Sequence, residues 1–206
     1  MTSPSLDHAR RLLALAQTGL HFAQDEYDRE RYREVAQIAE QLLLAGGAPC
    51  ARGEIERAWF VEDGYATPKI DVRGVIFRGD RVLMVRERVD GKWTVPGGWA
   101  DVNDSPAEAV EKEIEQESGF TARAVKLAAV YDRNKHDHPP YLFHAWKLFF
   151  ICEILGGEPR TSYETTDVRF FGLDELPELS TGRVTAVQVR RMYAHHLDRS
   201  LPTEFD

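Results

Sequence analysis

Residues 97–120 read GGWADVNDSPAEAVEKEIEQESGF, and seven of them are Asp or Glu. Ser105 is followed three residues later by Glu108, the pattern of a capping box, and Pro106 occupies the first helical position. Gly119 supplies the usual helix stop. These signals predict a helix over about 106–118. At about 100° per residue its faces follow: with Glu113 at zero, Glu117 lies about 40° away, Val110 about 60° and Ile114 about 100°. Glu108, Glu111 and Glu115 fall at about 140–200° and are expected in solvent. Glu113 and Glu117 instead border the apolar face. Carboxylates one turn apart repel each other. Burying their edge costs more unless a cation compensates, and hard divalent cations take such oxygen donors. A solvated glutamate pair beside the core is the competing reading.

The flanking sequence sets this helix in a sheet. KIDVRGVIF (69–77) and RVLMVRER (81–88) are rich in β-branched and aliphatic residues, with RGD between them as a hairpin turn. WTVPGG (93–98) ends a strand in a Gly-Gly turn that can offer backbone amides and carbonyls to a ligand. AVKLAAVYD (124–132) and YLFHAWKLFFICEIL (141–155) read as strands, the second apolar enough for the buried middle of a sheet. VRFFGLDELPEL (168–179) predicts a strand running into a short helical turn, and GRVTAVQVRRMYAHHL (182–197) a closing helix. Before all this come two amphipathic helices. Leu6, Leu13, Ala16 and Leu20 form one stripe, with Ser5 as N-cap; Tyr32, Val35, Ile38, Ala39 and Leu42 form the other, stopped by Gly46 and Gly47. A hairpin this small needs other surface to pack on, so it is either a packing appendage or a dimerisation element. The fold class is α+β, with residues 1–64 as the helical hairpin and connector and 65–206 as the main domain.

The chain has 206 residues and 43% hydrophobic composition, enough for a core in one large domain or a medium and a small one. The net charge of −8 argues against nonspecific nucleic-acid binding over the whole surface. Cys50 and Cys152 have neither metal nor redox spacing and read as reduced thiols. No apolar run approaches the roughly 20 residues of a membrane span, and the N-terminus lacks an apolar signal segment. A cytoplasmic protein without membrane association is expected.

From Gly98 to Phe120 the spacing resembles the Nudix box: Gly98, Asp104, Lys112, Glu113, Ile114, Gln116, Glu117, Gly119 and Phe120 fall on its defined positions. Asp104 and Gln116 stand where the pattern has Glu, and Lys112 where it has Arg. Lys112 keeps the charge but not the bidentate fork. The wider stretches TPKIDVRGVIF, VYDRNKHDHPP, ICEILGGEP, YET and FFGLDELPELS resemble the two-domain Nudix group with an N-terminal helical domain, which includes CDP-choline and ADP-ribose pyrophosphatases. That resemblance implies a Nudix α/β/α sandwich with a mixed sheet and a homodimer. It also implies hydrolysis, with Mg²⁺ or Mn²⁺, of a nucleoside diphosphate linked to another moiety. CDP-choline is the leading substrate and ADP-ribose the next. Short RNA, processed at its ends, and nucleotide binding without cleavage are the alternatives.

By the same resemblance Glu113, Glu117 and the Gly97 carbonyl hold the metal, with Lys112 beside them among the catalytic residues. The general base in several relatives comes from a later loop, where Glu164, with Asp167 behind it, is the candidate. Asp71 and Arg73 share one face of their strand. Arg73 either pairs with phosphate or forms a salt bridge to Asp71. Arg86 resembles a position that approaches substrate, and Tyr131, Asp132, Lys135 and His136 lie in a polar loop suited to binding. His136 and His138 have no third ligand that would make them a metal site. Trp59, Tyr65 and Trp99 are candidates for base stacking, with packing as the alternative.

Overall fold

The computed structural model describes residues 4–47 and 64–206, so Cys50, Trp59 and most of the connector lie outside the described residues. The chain divides into two compact units. The first takes in the hairpin, the segment up to Lys69 and Pro139–His144; the second is Ile70–His138 with Ala145–Asp206.

In the first unit, α1 (Pro4–Phe22) and α2 (Glu26–Ala45) pack on each other. Asp25 caps α2, accepting from Asp28 N, and Gly46 closes it. Helix α1 starts at Pro4, so Ser5 sits inside the helix and not at its cap. The seam is Leu6, Ala9, Leu13 and Ala16 against Ala36, Ala39 and Leu43, with Leu142 added from the 139–144 excursion. Arg10 Nε donates to Tyr141 O at 2.9 Å and ties that excursion to α1. The α2 stripe is therefore rotated from the expected one: Ile38 and Leu42 are 48% and 40% exposed. The cause is close approach through small residues. A Cβ on Gly19 would lie 2.2 Å from the Tyr32 ring, and Ala9, Ala16, Ala36 and Ala39 are buried between the seam's leucines.

The second unit holds two four-stranded sheets. One has the order β1 (Lys69–Val75), β6 (Ala145–Gly157), β5 (Phe120–Asp132), β8 (Glu204–Phe205). It is mixed: β5 runs antiparallel to β6 and parallel to β8. In the other, β3 (Arg81–Glu87) pairs antiparallel with β2 (Phe77–Arg78), β4 (Trp93–Thr94) and β7 (Thr165–Gly172). Helix α3 (Pro106–Ser118) closes a core of Val72, Ile76, Leu83, Val110, Ile114, Phe120 and Phe150. Helix α4 (Ala186–Leu197) closes another, with Val75, Met84, Phe149, Ile151, Val189 and Met192. The result is an α+β sandwich with helices on both sides. Strand β6 is interior as expected, although it begins only at Ala145, because 141–144 belongs to the first unit. Residues 173–175 form a turn held by Glu175 N to Gly172 O, not a helical turn. Among the described residues no helix is long and apolar enough to cross a membrane.

Candidate active site

Helix α3 begins with both halves of the capping box: Ser105 Oγ accepts from Glu108 N, and Ser105 N donates to Glu108 Oε2. Gly119 ends it with φ of +78°. Val110 and Ile114 are buried, Glu108 and Glu115 are exposed, Glu113 is half-buried and Glu117 is 4% exposed. Glu111 departs from the expected solvent face. It accepts from Ala124 N at 2.8 Å, where the β5–β6 register shifts and a strand amide needs an acceptor.

The glycine loop brings strand and helix together. Residues 96–100 run beside β1, through Gly74 N to Pro96 O, Val72 N to Gly98 O and Ala100 N to Ile70 O. Gly97 has φ of +142°, and a Cβ there would stand 2.0 Å from Val72 O. Its amide donates to Glu117 Oε2 at 2.9 Å. A Cβ on Gly98 would lie 3.0–3.2 Å from the Glu113 carboxylate group. Both carboxylates thus meet the backbone at adjacent positions that only glycines leave open. Thr165 Oγ1 donates to Glu117 O, securing the last turn of α3 to β7.

Burial pushes the Glu117 carboxyl up to about 8; Arg73 and the Gly97 amide oppose this, while Glu113 and Glu87 add to it. Glu113 is raised by burial too, with Arg73 opposing and Glu164 and Asp101 adding. Behind them lies a buried ionic cluster. Arg73 donates through Nε to Asp71 Oδ1 at 2.6 Å and through Nη2 to Asp71 Oδ2 at 3.2 Å, while Lys147 Nζ donates to Asp71 Oδ2 at 2.6 Å. Burial raises Asp71, but the two cations outweigh it and hold the carboxyl below its usual range. Lys147 is pulled down to about 8 by burial, with Arg73 adding and Asp71 opposing. Glu87, also buried and raised by that burial, pairs with Arg183 at 3.0 Å.

Several residues read as contacts for substrate serve other partners. Asp71, a substrate candidate, is 6% exposed and engaged by Arg73 and Lys147; Arg73 adopts the salt-bridge alternative. Tyr131, another substrate candidate, is buried and donates to Glu204 Oε2. Asp132 accepts from Asn134 N, and His136 pairs with Asp206 at 3.2 Å. Lys112, placed with the catalytic group, spends its ammonium on Asp101 (2.7 Å) and Asp104 (3.1 Å), pinning the loop to α3. Asp167 pairs with Arg169. In the second unit Arg86, which donates to Gly91 O, Trp99 and Glu164 are exposed; Tyr65 is exposed in the first unit. The loop that carries Glu164 is held by Arg88 N donating to Glu164 O and Glu164 N donating to Ser162 Oγ.

Sequence reading missed Lys147, Glu87 and Arg183. Lys147 had a signal: a lone cation in an apolar run placed mid-sheet must have a buried partner. Glu87 and Arg183 are ordinary charges at strand and loop ends.

His138 is structural. Gln188 Oε1 accepts from Thr185 N, so Gln188 Nε2 donates to His138 Nε2 (3.0 Å), and Nδ1–H donates to Thr181 O (2.7 Å). Burial lowers its pKa from 6.5 to about 4, with the Thr181 carbonyl opposing and Lys147 and Arg133 adding. Below pH 6.5 the unfolded chain takes up a proton that the folded chain refuses down to about 4. The stabilisation is therefore complete above 6.5 and lost as the pH falls. The stability gap between wild type and His138→Asn should shrink by on the order of 2–3 kcal/mol from pH 7 to 4.5 in urea titrations. A constant gap would contradict the neutral histidine.

Among the described residues no three or more His, Cys, Asp or Glu side chains are grouped to hold a metal ion. The donor set on offer is two glutamates and backbone oxygen. This fits a cation such as Mg²⁺, which takes one or two carboxylates and completes its shell with water and phosphate. The missing side chain at Gly98 leaves room for the Glu113 carboxylate.

Comparison with known proteins agrees with this geometry. Residues 67–191, well over half the chain, match the NUDIX domain, and residues 3–47 match a domain described as UDP-X-like, N-terminal oligomerisation. YjhB of Bacillus subtilis (strain 168), whose name gives ADP-ribose pyrophosphatase as a provisional activity, is 42% identical over 191 residues, covering 91% of this chain and 90% of that protein. A crystal structure of a UDP-X diphosphatase aligns over 100% of this chain and 99% of its own, at 32% identity and a TM-score of 0.64. A Streptococcus suis 89-1591 ADP-ribose pyrophosphatase aligns over 68% of this chain and 100% of its own, at 38% identity and a TM-score of 0.63. The chain belongs to the Nudix family and is a pyrophosphohydrolase of its two-domain group.

Proposed function

We propose that this protein cleaves the diphosphate of a nucleoside diphosphate linked to a second moiety, with ADP-ribose and UDP-linked compounds as the leading substrates. The observation that carries the chemistry is the meeting of Glu113 and Glu117 with the Gly97–Gly98 loop. The substrate order follows the activities in the names of the relatives. CDP-choline, the first expectation from resemblance, is named in none of those three and ranks third. RNA has shorter support: relatives named RNA pyrophosphohydrolase match over 34% of this chain.

Glu113, Glu117 and the Gly97 carbonyl would hold Mg²⁺ or Mn²⁺. When bound, the cation neutralises phosphate oxygens and acidifies water. The Gly97 amide orients the Glu117 carboxylate and favours its ionised form. Glu164, exposed on the loop that enters β7, takes the proton of the attacking water. Arg86, exposed near the end of β3, is the candidate to meet a phosphate. The helical unit, with Ile38 and Leu42 facing outward, supports a homodimer.

The test is turnover of ADP-ribose, UDP-glucose, CDP-choline, NADH, dinucleoside polyphosphates and short RNA, with Mg²⁺ or Mn²⁺, by protein sedimenting at dimer mass. Cleavage of the first two above the rest is expected. No turnover of any compound would replace the hydrolase with a nucleotide binder. RNA cleaved best would replace the substrate class, and a monomer would remove the dimer.

A further inference from the structure

Lys147 is fully buried near the start of β6, and its Nζ donates to Asp71 Oδ2 at 2.6 Å. Asp71 already receives two donors from Arg73. Two cations share one carboxylate, so the cluster keeps a net positive charge inside the protein. Stability alone gives little reason for the second cation, since desolvating a lysine costs several kcal/mol and Arg73 by itself neutralises Asp71. The second cation does fix geometry. With one oxygen held by Lys147, the Asp71 carboxylate has one orientation, and the Arg73 fork has one seat against it. In that seat Arg73 Nη1 is buried without a hydrogen-bond partner. Arg73 lies directly across from the glycine loop: a Cβ on Gly97 would stand 2.9 Å from Arg73 Cα, and Val72 N to Gly98 O and Gly74 N to Pro96 O flank it.

We propose that Lys147 is a positioning residue for diphosphate cleavage: it locks the Asp71–Arg73 pair and so maintains a fixed positive charge behind Glu117 and the Gly97–Gly98 loop. That charge opposes the negative charge that builds on the diphosphate oxygens as phosphorus is attacked. Charge held in place before the reaction needs no reorganisation during it. Lys147 acts through Arg73 and touches no substrate. The inference rests on the diphosphate-hydrolase reading.

The experiment compares full-length wild type, Lys147→Met, and the double variant Asp71→Asn with Lys147→Met. It uses whichever compound of the panel is turned over, with kcat, KM and melting temperature measured on each protein. Supporting residues around a metal typically change activity by about 10–100-fold. Lys147→Met should therefore lose about 10–100-fold in kcat, with KM within about 3-fold and melting unchanged or higher. The double variant should show a loss no larger than that of the single one, because both break the same lock. It also carries the test if Lys147→Met does not fold. Unchanged kcat in a folded variant, or a change in KM alone, would overturn the inference. A kcat loss that tracks a fall in melting temperature would reduce Lys147 to a structural residue. Wild-type turnover with an unaffected variant sinks this inference alone, whereas no wild-type turnover removes the hydrolase reading and this inference with it.

Discussion

Glu117→Gln should lower kcat by about 10³-fold or more while leaving the protein as stable as wild type or more so. The activity loss follows from charge. Cation-based stabilisation of a phosphoryl transition state is worth several kcal/mol, and each 1.36 kcal/mol is tenfold in rate. Gln keeps an oxygen for the Gly97 amide but offers no anionic donor. The stability side follows from burial. Glu117 is 4% exposed, next to Glu113 and Glu87, and its carboxyl is pushed up to about 8. The folded protein therefore holds a proton that the unfolded chain releases above about 4.5, so without divalent cation this position loses stability as pH rises from 4.5 towards 8. Gln does not titrate, and the stability advantage of the variant should grow over that window. Denaturation in EDTA at pH 5 and pH 8, beside turnover with Mg²⁺, checks both halves. A variant that keeps full activity removes Glu117 from the metal site. One that is inactive and unfolded means that Glu117 is needed for the fold.

Gly97→Ala should unfold the site, and Gly98→Ala should disable it without unfolding it. At Gly97 a Cβ would stand 2.0 Å from a backbone carbonyl, at φ of +142°, and no rotamer relieves either problem. Strained backbone of this kind costs about 1–3 kcal/mol before the clash is added, so a loss of about 3 kcal/mol or more is expected in denaturant titration. At Gly98 the neighbour is the Glu113 carboxylate at 3.0–3.2 Å, the mobile end of a side chain, which can shift by tenths of an ångström. Stability should change by less than about 1 kcal/mol there, as for changes that leave the core intact. Activity should fall clearly, since the carboxylate proposed to bind the metal would be moved. Equal effects at the two positions would mean that the glycines do not divide the work between backbone and carboxylate.

The sequence by itself determined helix α3, its two caps and the separation of Glu113 and Glu117 from Glu108 and Glu115. Capping, helical period and the glycine stop act within a turn or two of chain, so they are written locally. It also placed β6 inside a sheet, because a continuous apolar run has nowhere else to go. Only the tertiary structure decided what each charge does. Strand period put Asp71 and Arg73 on one face, but not Lys147, 76 residues away, against them. Tyr131 read as a loop-end binding group until the chain's last strand brought Glu204 to its hydroxyl. Glu111 left the solvent face for an irregularity in β5 that nothing in its own helix foretells. Helix α2 turned Ile38 and Leu42 outward because Ala36, Ala39 and Leu43 face α1 instead, with Gly19 giving room to the Tyr32 ring. A buried charge must find its counter-charge wherever folding brings one, and that partner is set by which strands become neighbours.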